Sequence, residues 1–374
     1  MSSAMRRRLI GTRLIGFDTG TWAETGRGAA RQARAGATLS SKIGKGATEP
    51  NNTFGFAPNA IRAVSIDARV RGRIADSLDA VLESANGIDL SRVDLSPVSL
   101  RIRTGHTRPQ LFALYTEIVQ AIHAGDEEKA GELLQLLAAP ALFRPLSERV
   151  VTISDEHLGE GMAERYRRIL DDDPSTPVAL EPLPHETLAQ GRALVLDALD
   201  LLKRASPELA GEIDALARQI VLAREAPGTE KFGGASTFYL WGAVFLNPAA
   251  HTDRLQMAEA LIHEAAHMLL FGMGAGEPLV ENPEEELYAS PLRSDRRPME
   301  GVVHAAYVLA RIVAAMESIA ALDDLSEAER ASTNQSRRQR FAEYRDMLPT
   351  IRANARFTKV GEQAFASCVA SLPG

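Results

Sequence analysis

Apolar residues recur at helical spacing along most of this chain. From about Ala57 onward, the segments RVRGRIADSLDAVLESA, PQLFALYTEIVQAIHAG and EEKAGELLQLLAA place apolar side chains three or four positions apart. That period is typical of an α-helix with one buried face. The same period returns in MEGVVHAAYVLARIVAAMESIAAL and in most of the chain after it. The pattern therefore predicts a mostly helical protein.

Two helix starts are marked by capping residues. Ser154 and Asp155 precede the segment EHLGEGMAERYRRILDD, and either side chain can accept a hydrogen bond from the first helical turn. Ser206-Pro207-Glu208 combines a capping residue, a proline suited to the first helical position and an acid beside the positive end of the helix dipole. We predict one continuous helix over the first segment and a second helix that begins at Pro207.

One segment departs from the helical pattern. FGGASTFYLWGAVFLNP, over Phe232–Pro248, is rich in aromatic and β-branched residues, and it predicts two strands with a turn near Trp241-Gly242. A helix is predicted after it, capped by Thr252 or Asp253 and ending at Gly272. The expected class is therefore mostly α with a small β element (α+β), in which a short sheet lies beside this helix.

The composition narrows the class of protein. The chain has 374 residues, 45% of them hydrophobic, which suffices for one large domain or two ordinary domains with a core. A net charge of −7 argues against nucleic-acid binding by the whole chain. No apolar run approaches the roughly 18 residues of a membrane span. The single cysteine, Cys368, cannot form an internal disulfide. We expect a cytoplasmic protein that binds neither nucleic acid nor membrane.

The patterns divide the chain into three regions. Residues 1–55 are basic and rich in glycine, with no sustained apolar period, and they predict a flexible arm. Residues 56–228 are expected to form a helical region, with a linker candidate in the turn-rich stretch DDDPSTPVALEPLP at 171–184. Residues 229–374 are expected to form a catalytic, metal-binding region.

The candidate chemistry begins with the pentapeptide His-Glu-Ala-Ala-His at 263–267. Residues four apart share one face of an α-helix, so His263 and His267 are expected to present two imidazoles to one metal ion. Glu264 lies between them and is placed to reach a metal-bound water. Because so short a pattern recurs by chance, the prediction also relies on the strand before it and on the apolar helix around it.

A third ligand is expected downstream, and two candidates remain open. Glu286 follows His267 by 19 residues, a separation used by zinc aminopeptidases. His304 lies in the apolar segment PMEGVVHAAYVLAR, where an ionisable ring needs a partner. Non-haem iron oxygenases mostly use two histidines and a carboxylate, so Glu286 would complete the commoner set and His304 a three-histidine variant.

Four arginines favour one kind of reaction over another. Arg293, Arg296, Arg297 and Arg311 all lie within SPLRSDRRPMEGVVHAAYVLAR. A peptidase has no evident need for arginines beside its metal. A 2-oxo diacid cosubstrate does, because the planar guanidinium binds a carboxylate through two parallel hydrogen bonds.

The ordered set GAVFLN, LIHEAAHMLL and SPLRSDRRPMEGVVHAAYVLAR resembles the αKG-HExxH-type peptide β-hydroxylases. These proteins accompany the biosynthesis of ribosomally made, post-translationally modified peptides. The resemblance is strong over roughly residues 232–320. It implies an iron(II) site, 2-oxoglutarate and O2 as cosubstrates, and a precursor peptide as substrate and partner.

The resemblance also implies roles for particular residues. His263 and His267 match the first two metal ligands, and His304 matches the histidine of the downstream motif and is therefore favoured as third ligand. Arg297 matches the arginine expected to hold the cosubstrate carboxylate, with Arg293 as second choice. The motif glutamate, Glu264, is expected to orient a ligand or the metal-bound water.

Two other functions remain as alternatives. One is a zinc metallopeptidase with Glu264 as general base and Glu286 as third ligand. The other is a peptide-binding module without catalysis, for which replacement of His263 would change nothing. For either active enzyme, the strand at Ala243–Asn247 is a candidate to align an extended peptide by pairing along its edge.

Overall fold

A computed structural model describes most of the chain, namely residues 53–84, 95–170, 179–229, 231–275, 278–290 and 296–372. Within these ranges the protein is mostly helical with small sheets, which confirms the predicted α+β class. The predicted arm lies outside the described residues except for its last three positions. So do residues 171–178 of the predicted linker and Arg293.

The helices of the described ranges are α1 Ala60–Ser84, α2 Ser96–Thr104, α3 Pro109–Ala124, α4 Glu127–Leu137, α5 Asp155–Leu158, α6 Met162–Leu170, α7 His185–Ala205, α8 Pro207–Leu216, α9 Arg254–Met273, α10 Met299–Ala320, α11 Glu327–Asn354 and α12 Lys359–Ser371. The strands are β1 Val150–Thr152, β2 Leu180–Glu181, β3 Gln219–Leu222, β4 Arg224–Glu225, β5 Gly234–Ser236, β6 Ala243–Leu246, β7 Leu287–Tyr288 and β8 Arg297–Pro298.

Four strands form the largest sheet, in the order β1-β3-β6-β5. β1, β3 and β6 are parallel, whereas β5 runs antiparallel to β6 at the edge. Every residue of the three parallel strands is buried, as expected of a parallel sheet that is covered on both faces. The sheet joins strands from both sides of the predicted boundary at residue 228.

The position of β6 contradicts one prediction. Because β6 pairs with β3 on one side and with β5 on the other, it has no free edge at Ala243–Leu246. The prediction that this strand aligns a peptide by edge pairing is therefore wrong. In the described chain, the edge of this sheet beside the candidate site belongs to β5.

All three helix starts predicted from capping residues are found in the structure. Ser206 Oγ accepts the Leu209 N–H at the start of α8, as predicted. Asp253 accepts two backbone N–H groups at the start of α9. A helix also begins directly after Ser154, as predicted, but the prediction of one continuous helix is wrong, because Gly159 and Gly161 adopt positive φ angles of 104° and 70° and divide it into α5 and α6.

Helix α10 is buried along most of its length. By length and composition alone this helix could cross a membrane, but 78% of its most apolar 18-residue stretch is buried inside the protein. Its apolar sequence is therefore that of a core helix.

A buried ion-pair cluster fixes α1 and α8 to α10. Glu212 of α8 accepts hydrogen bonds from Arg62 and Arg311, and all three side chains are at most 5% exposed. The two guanidinium groups also donate to the carbonyls of Gly55 and Phe56. The cluster thereby ties the segment before α1 to the core.

We predict that Glu212→Ala lowers the free energy of unfolding by about 3–5 kcal/mol, because it leaves two buried guanidinium groups without their counter-charge. Urea denaturation followed by circular dichroism measures the change. Glu208→Ala is the matched control, since Glu208 accepts the Ala60 N–H at an exposed position and its loss is worth about 1 kcal/mol or less. Equal losses for the two variants would contradict the assignment.

Candidate metal centre

The pentapeptide lies on helix α9, as its spacing predicts. The helix begins at the Asp253 cap and packs against β5, α7 and α10. His263 is exposed, His267 is half-buried and Glu264 is 5% exposed. The two imidazoles therefore share the solvent-accessible side of a helix that is otherwise held in the core.

The spacing of the two imidazoles suits a metal ion. Nε2 of His263 lies 3.3 Å from Nε2 of His267. Two nitrogens bound tetrahedrally to one ion at about 2.0–2.1 Å are about 3.3–3.4 Å apart. Burial, with the nearby imidazoles of His263 and His304, holds the pKa of His267 well below its ordinary value. A neutral ring keeps a nitrogen lone pair for a metal.

His304 is brought to the same place by a second helix. Its side chain is 3% exposed on α10, and its Nδ1 lies 3.4 Å from Nδ1 of His267. The two rings are nearly parallel, with an interplanar angle of 18°, and both contact the ring of Phe271. His304 therefore lies beside the histidine pair, and its role as third metal ligand stays a prediction.

The three imidazoles form a row rather than a cage. His267 meets His263 through Nε2 and His304 through Nδ1, so the three rings do not point at one position. In the described part of the chain, no three His, Cys, Asp or Glu side chains are arranged to hold a metal as they stand. For His304 to join the pair as third ligand, its imidazole must turn.

Glu300, one helical turn before His304, is a neighbour that was not predicted from the sequence. Its Oε1 lies 3.6 Å from Nε2 of His304. The same carboxylate accepts the backbone N–H groups of Leu279 and Val280. The i, i+4 spacing to His304 is the signal by which Glu300 could have been found.

Glu264 is held beneath the edge strand β5. Its carboxylate accepts a hydrogen bond of 2.7 Å from Ser236 Oγ. Burial raises the pKa of Glu264, while His263 and the Ser236 hydroxyl oppose that rise. Gly234 lies directly above, and a Cβ at that position would come within 2.8 Å of Glu264 Oε1. Neither β5 residue could be connected with Glu264 from sequence spacing alone.

The structure does not bring Glu286, the alternative third ligand, to the histidine pair. Its exposed carboxylate accepts a hydrogen bond from Tyr288 Oη at 2.5 Å and lies 3.3 Å from a guanidinium nitrogen of Arg356. These two partners lower the pKa of Glu286, the Tyr288 hydrogen bond most. Binding a metal would require Glu286 to leave both of them.

The arginines of the predicted cosubstrate site occupy different environments. Arg297, in β8, comes immediately before α10 and packs over its first turn, where its Cβ and Cδ lie 4.0 Å from the position of a Cβ on Gly301. Gly301 and His304 are three residues apart and share one face of α10. Arg296 is exposed, whereas Arg311 is committed to Glu212 in the core.

Comparison with known proteins adds no family assignment. The chain matches no protein-family model, and a search of curated proteins returns no match. The case for a function therefore rests on the residues and their geometry.

We predict that the protein binds one divalent metal ion and that His263→Ala and His267→Ala each weaken the binding by more than about 100-fold, beyond the roughly 10–100-fold typical of an outer-shell partner. Isothermal titration calorimetry with zinc measures the affinities. The affinity of His304→Ala shows which role His304 has. A loss of more than about 100-fold indicates a metal ligand, and a loss of roughly 10–100-fold indicates an outer-shell partner. His185→Ala is the control, since His185 is exposed at the start of α7. Unchanged binding by both pair variants would contradict the centre.

We also predict that Gly234→Ala displaces the Glu264 carboxylate and lowers the free energy of unfolding by about 1–3 kcal/mol through overpacking. Gly233→Ala is the matched control, because nothing lies within 4 Å of a Cβ there. Chemical denaturation of both variants tests the contact, and equal stability of the two would show that Glu264 is not confined by Gly234.

Proposed function

We propose that the protein is an iron(II)- and 2-oxoglutarate-dependent dioxygenase that hydroxylates the β-carbon of a side chain in a ribosomally made precursor peptide. His263, His267 and His304 would hold the iron, the last after its ring turns toward the pair. Bound iron supplies the redox chemistry by which O2 and 2-oxoglutarate become succinate, carbon dioxide and the oxygen added to the substrate. The cytoplasm is the compartment proposed for it.

The observation that carries the proposal is the convergence of two helices. α9 supplies the imidazole pair, while α10 supplies His304 within 3.4 Å of His267. Arg297 lies two residues before Met299, the first residue of α10. Its side chain packs beside Gly301, on the face of α10 that also carries His304. A cation placed at the start of the helix that carries the third histidine suits a diacid held beside the metal.

The residues of the chain have distinct parts in this proposal. The neutral ring of His267 offers Nε2 to the metal, while its Nδ1 faces His304. Glu264, buried under β5, is placed to orient His263 or a bound water. Phe271 packs against two of the imidazoles and limits the access of water to that side.

A zinc metallopeptidase is the second candidate, and two observations favour it. The Nε2–Nε2 distance of 3.3 Å is nearer to a tetrahedral pair than to the roughly 3.0 Å of a right-angled pair in an octahedral site. The raised pKa of Glu264 suits a group that accepts a proton. Against it stands Glu286, its proposed third ligand, which is engaged by Tyr288 and Arg356.

Incubation with iron(II), 2-oxoglutarate and O2 tests the proposal through release of succinate. We predict that Arg297→Gln weakens 2-oxoglutarate binding about 10- to 100-fold, the loss of a charged hydrogen bond of roughly 1.5–3 kcal/mol. Its metal affinity should stay unchanged. Arg296→Gln, at the exposed neighbouring position, is the control and should bind the cosubstrate as the parent protein does.

Three outcomes separate the candidates. Succinate formation that is seen with the parent protein and lost in His263→Ala would support the dioxygenase. Peptide cleavage that requires zinc and does not depend on 2-oxoglutarate would reject the dioxygenase and support the metallopeptidase. Peptide binding that survives His263→Ala, without either reaction, would identify a binding module.

A further inference from the structure

The edge strand beside the candidate metal centre presents its backbone outward. The Asn247 N–H donates to the Gly233 carbonyl, so Gly233 and Asn247 form a hydrogen-bonded pair of the antiparallel ladder. Such pairs alternate along the strands. Ala235, opposite Phe245, is therefore the next residue that bonds to β6. The N–H and C=O groups of Gly234 and Ser236 point to the other side.

The same two residues lie directly above the motif glutamate. The side chain of Ser236 donates to Glu264, and the bare Cα of Gly234 faces Glu264 Oε1. Since side chains alternate between the faces of a strand, both residues face α9 while their backbone groups face outward. Gly234 is itself exposed. A chain that paired with β5 would therefore run alongside Glu264 and its neighbour His263.

We propose that the outer edge of β5 binds the substrate, and that the substrate is a peptide segment in an extended conformation that adds a fifth strand to the sheet. This inference rests on the proposed action on a peptide and specifies how that peptide is held. An extended backbone is the ligand whose donors and acceptors repeat at the spacing that Gly234 and Ser236 present.

The Ser236→Pro variant tests the pairing. Proline removes the outward N–H of residue 236 and leaves the ladder with β6 intact, because residue 236 does not bond to β6 and edge positions tolerate proline. Ser236→Ala is the matched control, since it removes the same hydroxyl and keeps the N–H. The probe is a pool of ten-residue peptides of random sequence, passed over immobilised protein without iron or 2-oxoglutarate and identified by mass spectrometry.

We expect the parent protein and Ser236→Ala to retain the same peptides, and Ser236→Pro to retain them at least tenfold less. A second pool with N-methylated backbones tests the inference without any variant and should not be retained by the parent protein. Equal retention by the two variants, or retention of the methylated pool, would overturn the inference. So would retention of no peptide by the parent, or a dimer of the parent that Ser236→Pro dissociates.

The proposed function fails separately. Retention that depends on the residue 236 N–H, with no succinate formed under iron(II), 2-oxoglutarate and O2, would keep the strand pairing and reject the dioxygenase. Succinate formation together with equal peptide retention by Ser236→Pro and Ser236→Ala would keep the dioxygenase and reject the strand pairing.

Discussion

The four-residue spacing of two histidines on one rigid helix is the constraint on which the candidate centre depends. That spacing places the two Nε2 atoms 3.3 Å apart. The distance is maintained because α9 is held by its packing against β5, α7 and α10. Asp253 caps its start, and Gly272 near its end lies so close to Ile66 and Trp241 that a Cβ would clash with both. A helix that could shift would lose the register between the imidazoles and their surroundings.

The sheet and the second helix give this pair its chemical setting. β5 confines the Glu264 carboxylate through Ser236 and Gly234, and α10 delivers His304 to the far nitrogen of His267. One side of the pair therefore faces the Glu264 carboxylate and the edge strand β5, while the other packs against the rings of His304 and Phe271. In the proposed enzyme, this asymmetry would give the substrate and the third ligand separate approaches to the metal.

The apolar period and the capping residues of the sequence predicted those parts of the fold that depend on interactions between residues close together in the chain. Helical periodicity found α1, α3, α4 and α10, and the capping residues Ser206 and Asp253 marked helix starts that the structure bears out. Strands β1 and β3 were missed, because strands of three and four residues are too short to show a period in their apolar positions. At the site, the facing of His263 and His267 follows from spacing alone. The pairing of Ser236 with Glu264 joins residues 28 apart and leaves no pattern in the sequence.

The most direct measurement is the anomalous diffraction of crystals of the iron-loaded protein, collected at the iron absorption edge. We predict a single strong peak about 2.0–2.2 Å from Nε2 of both His263 and His267, with the His304 ring turned toward it. A peak bonded to Glu286 in place of His304, or no peak at the histidine pair, would contradict this prediction.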